Sequence, residues 1–186
     1  WVDVRTKRFK DWFGDWENNA ENASKVVDDN GEPMVVYHGT PNAGFKIFNE
    51  ESYFTPNKNY ADRYQNPSAS SQSTRFDKTN PDTYEVTLSI KKPFDTRNTK
   101  EREIFEKEFY RKWGNGAPLS EKGIPDWTDA TDLLEFIKEK GYDYDGLILD
   151  EGADGGYGET VKYRGISYVP VNSNQIKSAE NNVGTY

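Results

Sequence analysis

The chain has 186 residues, a net charge of −8, no cysteine and a single histidine. That length suits one domain able to bury a core; the charge leaves no basic footprint for a nucleic-acid backbone, and the absence of cysteine removes thiol nucleophiles, disulfides and thiolate metal sites. Val, Leu, Ile and Phe supply only 35 of the 186 residues, a share typical of disordered chains, but 12 Tyr, 10 Phe and 5 Trp restore enough large apolar surface for a folded, aromatic-rich domain with a polar exterior. No apolar run reaches the roughly 18 residues of a membrane span, and no signal segment opens the chain. The start at Trp1 suggests a domain taken from a longer polypeptide.

In chain order, Phe9, Trp12, Phe13 and Trp16 recur at helical spacing, with Gly14 interrupting near the end. Asp28-Asp29-Asn30-Gly31 carries hairpin turn chemistry and feeds an apolar strand that begins near Pro33 and runs into Tyr37-His38-Gly39-Thr40. Residues 59–65 read as helix and 66–80 as a polar loop. Tyr84–Ile90 alternates as a half-buried strand that Lys92-Pro93 ends. Helices follow over Thr99–Trp113 and Ala130–Lys140, the second stopped by Gly141. Strands at Asp145–Leu149 and Ser167–Val171 flank a glycine-rich loop too irregular for a phosphate-binding helix entry. The expected class is α+β, with a curved, mainly antiparallel sheet flanked by short helices.

The lone histidine at a strand end, followed by Tyr53-Phe54-Thr55, Ala61 and Tyr64, and then by Ser167-Tyr168-Val169 with Gln175-Ile176, resembles the His-Tyr-Glu branch of the ADP-ribosyltransferases, the branch of diphtheria toxin and the poly(ADP-ribose) polymerases. With Trp12–Trp16 and Asn174–Ala179 added, these blocks are similar to the ADP-ribosyltransferase domain of polyvalent proteins from phages and mobile elements. The resemblance implies NAD as co-substrate, no metal, and a toxin or effector role in the cytoplasm of a bacterium or infected host. It also implies that Gly39 offers its backbone to the nicotinamide carboxamide, that His38 hydrogen-bonds a ribose hydroxyl with Thr40 assisting nearby, and that Tyr64 and Tyr53 form the two walls around the nicotinamide ring.

These residue types suit the chemistry. Breaking the nicotinamide–ribose bond passes through an oxocarbenium-like state, so a site must hold a flat cationic ring, fix ribose hydroxyls and stabilise positive charge. Each residue also has a plainer reading. A strand-end histidine commonly makes a structural hydrogen bond, and Tyr53 and Tyr64 are two tyrosines among twelve, any of which can pack in a core. Gln175, just past a strand, reads as a residue that ties down a turn.

The third element departs from the family pattern. The branch carries a glutamate immediately before the aromatic of the last strand, where its carboxylate grips the ribose and stabilises the cation; here that position is Ser167. Three explanations stand side by side: a neighbouring acid, Glu159 or less readily Glu151, supplies the charge; the substrate assists itself; or the site is inactivated. The loop 151–164 precedes the last strand as the acceptor-contacting segment does in the superfamily, which makes Tyr157, Tyr163 and Arg164 candidate substrate-facing residues. The resulting expectation is a monomeric mono-ADP-ribosyltransferase acting on a macromolecule, protein rather than nucleic acid. An NAD glycohydrolase, an inactive NAD- or ADP-ribose-binding module, and a glycosidase with paired carboxylates are the alternatives, the last leaving the His38-Gly39-Thr40 block unexplained.

Overall fold

The computed structural model describes residues 2–49, 52–66, 80–98, 100, 102–103, 130–150 and 165–180. Helix α1 (Lys7–Phe13) is capped by Thr6, whose hydroxyl accepts from the Phe9 amide at 3.2 Å. It stops at Gly14, one turn before the periodicity suggests, because Gly14 takes φ +103° and a methyl there would lie 2.4 Å from the Ala23 Cα. Trp16 therefore lies beyond the helix yet still closes an aromatic cluster with Phe9, Phe13 and Ala23.

Ser24 joins this amino-terminal segment to the rest of the fold. Its buried hydroxyl donates to the Leu88 carbonyl at 2.8 Å and accepts from the Ile90 amide at 3.0 Å, while the Trp12 indole donates to the Asn174 carbonyl at 3.0 Å. Removing this buried hydroxyl takes a partner from the Leu88 carbonyl, the Ile90 amide and the Val26 amide, which also donates to it at 3.3 Å, at a cost of about 1–3 kcal/mol. Ser24→Ala is therefore expected to lower the thermal midpoint by about 3–8 °C; a midpoint unchanged in a thermal scan would refute this account of the docking.

Strand β1 (Val36–Thr40) begins three residues later than the turn chemistry suggests. The Asp28 carboxylate accepts from the Asn30 and Glu32 amides, Gly31 sits at φ +81°, and the hairpin closes with a single bridge between Val27 and Pro33. Helix α2 (Lys58–Asp62) passes into a 3-10 turn, Arg63–Gln65. Strand β2 (Asp82–Leu88) pairs antiparallel with β1, setting His38 opposite Tyr84 and Gly39 opposite Thr83, and pairs on its other edge with β6 (Ile176–Ser178). The helix read over Thr99–Trp113 falls mostly outside the described residues.

The second sheet has the order β3-β4-β5. Pro93 does close the run that contains β2, but it also opens β3 (Pro93–Asp95), a three-residue edge strand in which a missing amide is tolerated. Strand β3 runs parallel to β4 (Gly146–Asp150), and between them in the chain comes helix α3 (Ala130–Lys140), at the bounds read from its periodicity. β5 (Ile166–Pro170) pairs antiparallel with β4. Phe94, Leu133, Phe136, Leu147 and Val169 pack α3 onto this sheet.

Two devices join the sheets. Phe54 and Tyr168 exchange two backbone hydrogen bonds of 2.9 and 2.7 Å, and the next residue, Thr55, exchanges two of 2.8 and 3.0 Å with Tyr37, so the dipeptide Phe54-Thr55 stitches β5 to β1. On the far side, buried Gln175 donates from Nε2 to the Ser89 and Asp145 carbonyls, both at 2.8 Å, and accepts from the Asn172 amide at 2.8 Å. That is the structural role read for it. Val36, Phe54, Leu88, Ile148 and Tyr168 form the core shared by the two sheets. Among the described residues no helix is long and apolar enough to cross a membrane.

Candidate functional site

The site begins where the stitch between β1 and the Phe54-Thr55 segment opens. Backbone groups alternate sides along a strand. Since the amide and carbonyl of Tyr37 point to Thr55, those of Gly39 point to the same edge, toward Tyr53, which would be the next partner if the ladder continued. It does not continue. The Tyr53 carbonyl is taken instead by the His38 imidazole, Nδ1 to oxygen 2.7 Å. The histidine side chain thus ends the ladder, and both polar groups of the Gly39 peptide edge are turned into the gap it leaves.

A carbonyl only accepts, so His38 Nδ1 carries the proton and Nε2 is the acceptor of the neutral ring. Phe54, Phe48 and Phe45 surround the imidazole at centroid distances of 5.4, 5.5 and 6.4 Å. Burial among them pushes the His38 pKa below 6.5, and the Tyr53 carbonyl opposes that shift less strongly. A base whose folded pKa is depressed contributes stability that is complete above pH 6.5 and is lost as pH falls toward the folded value. In an NMR titration of this sole imidazole, the midpoint is expected below 6.5; a midpoint at or above 6.5 would show that the aromatic enclosure does not govern it.

Gly39 is required for a steric reason unrelated to any ligand. A methyl there would meet the Ala61 carbonyl oxygen at 1.8 Å and Tyr64 Cβ at 3.3 Å. The α2 backbone therefore lies directly on β1, and this contact brings Tyr64 beside the open Gly39 edge. Tyr53 and Tyr64 are 38% and 54% exposed, two of the three exposed large apolar side chains among the described residues, so the core reading fails for both. The Tyr64 ring meets Tyr60 edge-on at 5.6 Å, with their hydroxyls 3.0 Å apart. The Thr40 hydroxyl accepts from the Asn42 amide at 3.2 Å and supports the turn leaving β1.

Ser167 lies in β5, buried, beside Leu149 of β4. The antiparallel register that pairs Phe54 with Tyr168 carries Ser167 opposite Thr55, and residues opposite one another share a face. Ser167 thus shares a face with Thr55, Tyr37 and Gly39, the face on which α2 lies. His38 and Tyr53 thus meet through one hydrogen bond where the ladder stops, Tyr64 lies beside Gly39, and Ser167 stands on β5 on the same face as Gly39. Glu151, Glu159, Tyr157, Tyr163 and Arg164 fall outside the described residues.

The sequence shows Thr55 within the Tyr53-Phe54-Thr55 block but not its role, a register that links β1 to Ser167, and it gives no role to a polar cluster of Thr83, Asp62 and Gln65 near Tyr64. The only signal for the cluster was the i, i+3 spacing of Asp62 and Gln65, which carries nothing without knowledge of what β2 presents. Among the described residues no group of three or more His, Cys, Asp or Glu is placed to hold a metal ion.

Compared with known proteins, residues 28–186 match the family model described as ADP-ribosyltransferase in polyvalent proteins. The matched range excludes the Trp12–Trp16 block. No curated relative and no solved structure matches the chain.

Proposed function

The chain belongs to the family of ADP-ribosyltransferases in polyvalent proteins, and from that premise we propose that it is a mono-ADP-ribosyltransferase using NAD as co-substrate and a protein as acceptor. The observation that carries this reading is the opened ladder: a glycine edge presenting one N–H and one C=O where the pairing with the Tyr53 segment stops, with exposed Tyr64 beside it. A primary carboxamide needs one acceptor and one donor side by side, and a planar cationic ring is favoured between aromatic faces.

In this reading Gly39 holds the nicotinamide carboxamide, and Tyr64 and Tyr53 enclose the ring. Neutral His38 accepts a ribose hydroxyl at Nε2 while Nδ1 stays on the Tyr53 carbonyl, with the Thr40 turn alongside. The bond between C1′ and the nicotinamide nitrogen breaks, its electron pair going to the ring, which leaves neutral. The acceptor heteroatom donates a pair to C1′ and releases its proton to solvent. Holding the ring rigid while the sugar gains positive charge lowers the barrier through orientation. Ser167 offers that charge a hydroxyl and no carboxylate, which favours a single transfer over chain growth, since elongation needs a base to activate a ribose hydroxyl. Glu159 in the segment 151–164 is the candidate for the missing charge, and Tyr157, Tyr163 and Arg164 of that segment are the candidate acceptor contacts. A net charge of −8 favours protein over nucleic acid as acceptor.

Ser167 also favours a second reading, a module that binds NAD without turning it over. One assay separates the two. Purified protein is incubated with NAD, with and without bacterial lysate, and free nicotinamide and ADP-ribose are quantified by chromatography. Nicotinamide release that depends on lysate is the expected result. Equal release without lysate would make the protein a glycohydrolase or a self-modifying enzyme. No release, with NAD binding detected by calorimetry, would leave the binding module.

A further inference from the structure

Helix α2 is five residues long, too short to be stable alone, yet it and the following 3-10 turn must hold Tyr64 in a fixed plane. The exposed Tyr64 ring meets Tyr60 edge-on, and its direction follows that of the backbone on either side. Both sides are tied to one hydroxyl. Thr83 Oγ1 donates to Asp62 Oδ1 at 2.7 Å and accepts from Gln65 Nε2 at 2.8 Å, and Gln65 Nε2 also reaches Asp62 Oδ1 at 3.4 Å. Asp62 precedes Tyr64 by two residues and Gln65 follows it directly.

Thr83 is nearly buried in β2 and is the register partner of Gly39. Its hydroxyl has one proton and two lone pairs, and these two bonds use the proton and one pair. A hydroxyl donating to a carboxylate is among the stronger hydrogen bonds, and Lys58 Nζ lies 3.5 Å from Asp62 and 3.7 Å from Glu85. The glycine that grips one end of the nicotinamide and the turn that aims the stacking ring are thus referenced to the same point on β2.

We propose that Thr83, through Asp62 and Gln65, is a positioning residue that sets the stacking plane of Tyr64 over the Gly39 edge. This rests on the reading of Tyr64 as the nicotinamide wall. The clamp touches no reacting atom. It reduces the range of tilts open to the ring, and stacking energy falls quickly with tilt and offset.

The test measures NAD affinity by calorimetry, with the thermal midpoint in parallel, for wild type, Thr83→Val, Thr83→Ser, Tyr64→Ala and the double variant Thr83→Val/Tyr64→Ala. Valine keeps the shape and removes the hydroxyl; serine keeps the hydroxyl. Thr83→Val is expected to raise the NAD Kd about tenfold, Thr83→Ser to stay within about threefold of wild type, and Thr83→Val to cause no further loss once Tyr64 is gone. Wild-type affinity in Thr83→Val, with Tyr64→Ala impaired, would overturn the clamp and leave the Tyr64 reading standing. The same tenfold loss on the Tyr64→Ala background would also overturn it, because Thr83 would then act through something else. Equal affinity in wild type and Tyr64→Ala would overturn the Tyr64 reading and the clamp with it.

Discussion

Tyr64→Ala is expected to weaken NAD binding by about ten- to a hundredfold while moving the thermal midpoint by no more than about 2 °C. Stacking of a heteroaromatic ring on an aromatic side chain is worth about 1–3 kcal/mol on alanine substitution, and the positive nicotinamide adds a cation–π component. Against this, Tyr64 is 54% exposed, and exposed substitutions usually stay within about 0.5 kcal/mol of neutral. The separation of the two effects is diagnostic. A midpoint that fell sharply with unchanged affinity per folded molecule would return Tyr64 to the core and remove one wall of the site.

Ser167→Glu is expected to raise the rate of nicotinamide release about a hundredfold. A single well-aimed charged or polar group at a developing charge contributes about 10²–10³ in rate, and Ser167 stands on β5 opposite Thr55, on the face that carries Gly39 and α2. The gain comes with a stability cost. Ser167 is buried, and a carboxyl placed there is pushed above the ordinary glutamate range by desolvation, so the variant loses stability as pH rises above about 4.3. NAD relieves that cost, since the cationic substrate partners the carboxylate. The combination to look for is a lower midpoint in free protein, a larger upward shift on adding NAD, and faster release. A folded variant with wild-type release would mean that Ser167 does not stand where the reacting sugar gains its charge.

Much of the architecture is legible in the residues because it rests on local pattern. Leu133, Leu134 and Ile137 mark the buried face of α3, and the apolar-polar alternation of Tyr84–Leu88 marks a strand, although Thr87 is buried along with Val86 and Leu88, so this strand is not the half-buried one its pattern suggests. The parts that escaped depend on distant partners. Pro93–Asp95 and Ile176–Ser178 are three-residue strands with no periodicity to detect, and each exists because β4 or β2 offers it an edge. At the site, the pairing of His38 with a glycine and the eleven-residue interval between Tyr53 and Tyr64 point to the opening. The reason Gly39 must be glycine, the Ala61 carbonyl lying against it, appears only when α2 folds back onto β1. The clamp on Thr83 likewise joins residues some twenty positions apart through hydroxyl and carboxylate groups common on any surface.

The opened ladder itself is tested most directly by following the Gly39 backbone amide in NMR spectra as NAD is added. If the Gly39 edge receives the carboxamide, this amide shifts downfield and saturates with the same Kd that calorimetry gives, and the shift disappears when ADP-ribose replaces NAD. Saturable NAD binding that leaves the Gly39 amide unmoved would contradict the account, and the nicotinamide end of the substrate would have to lie elsewhere.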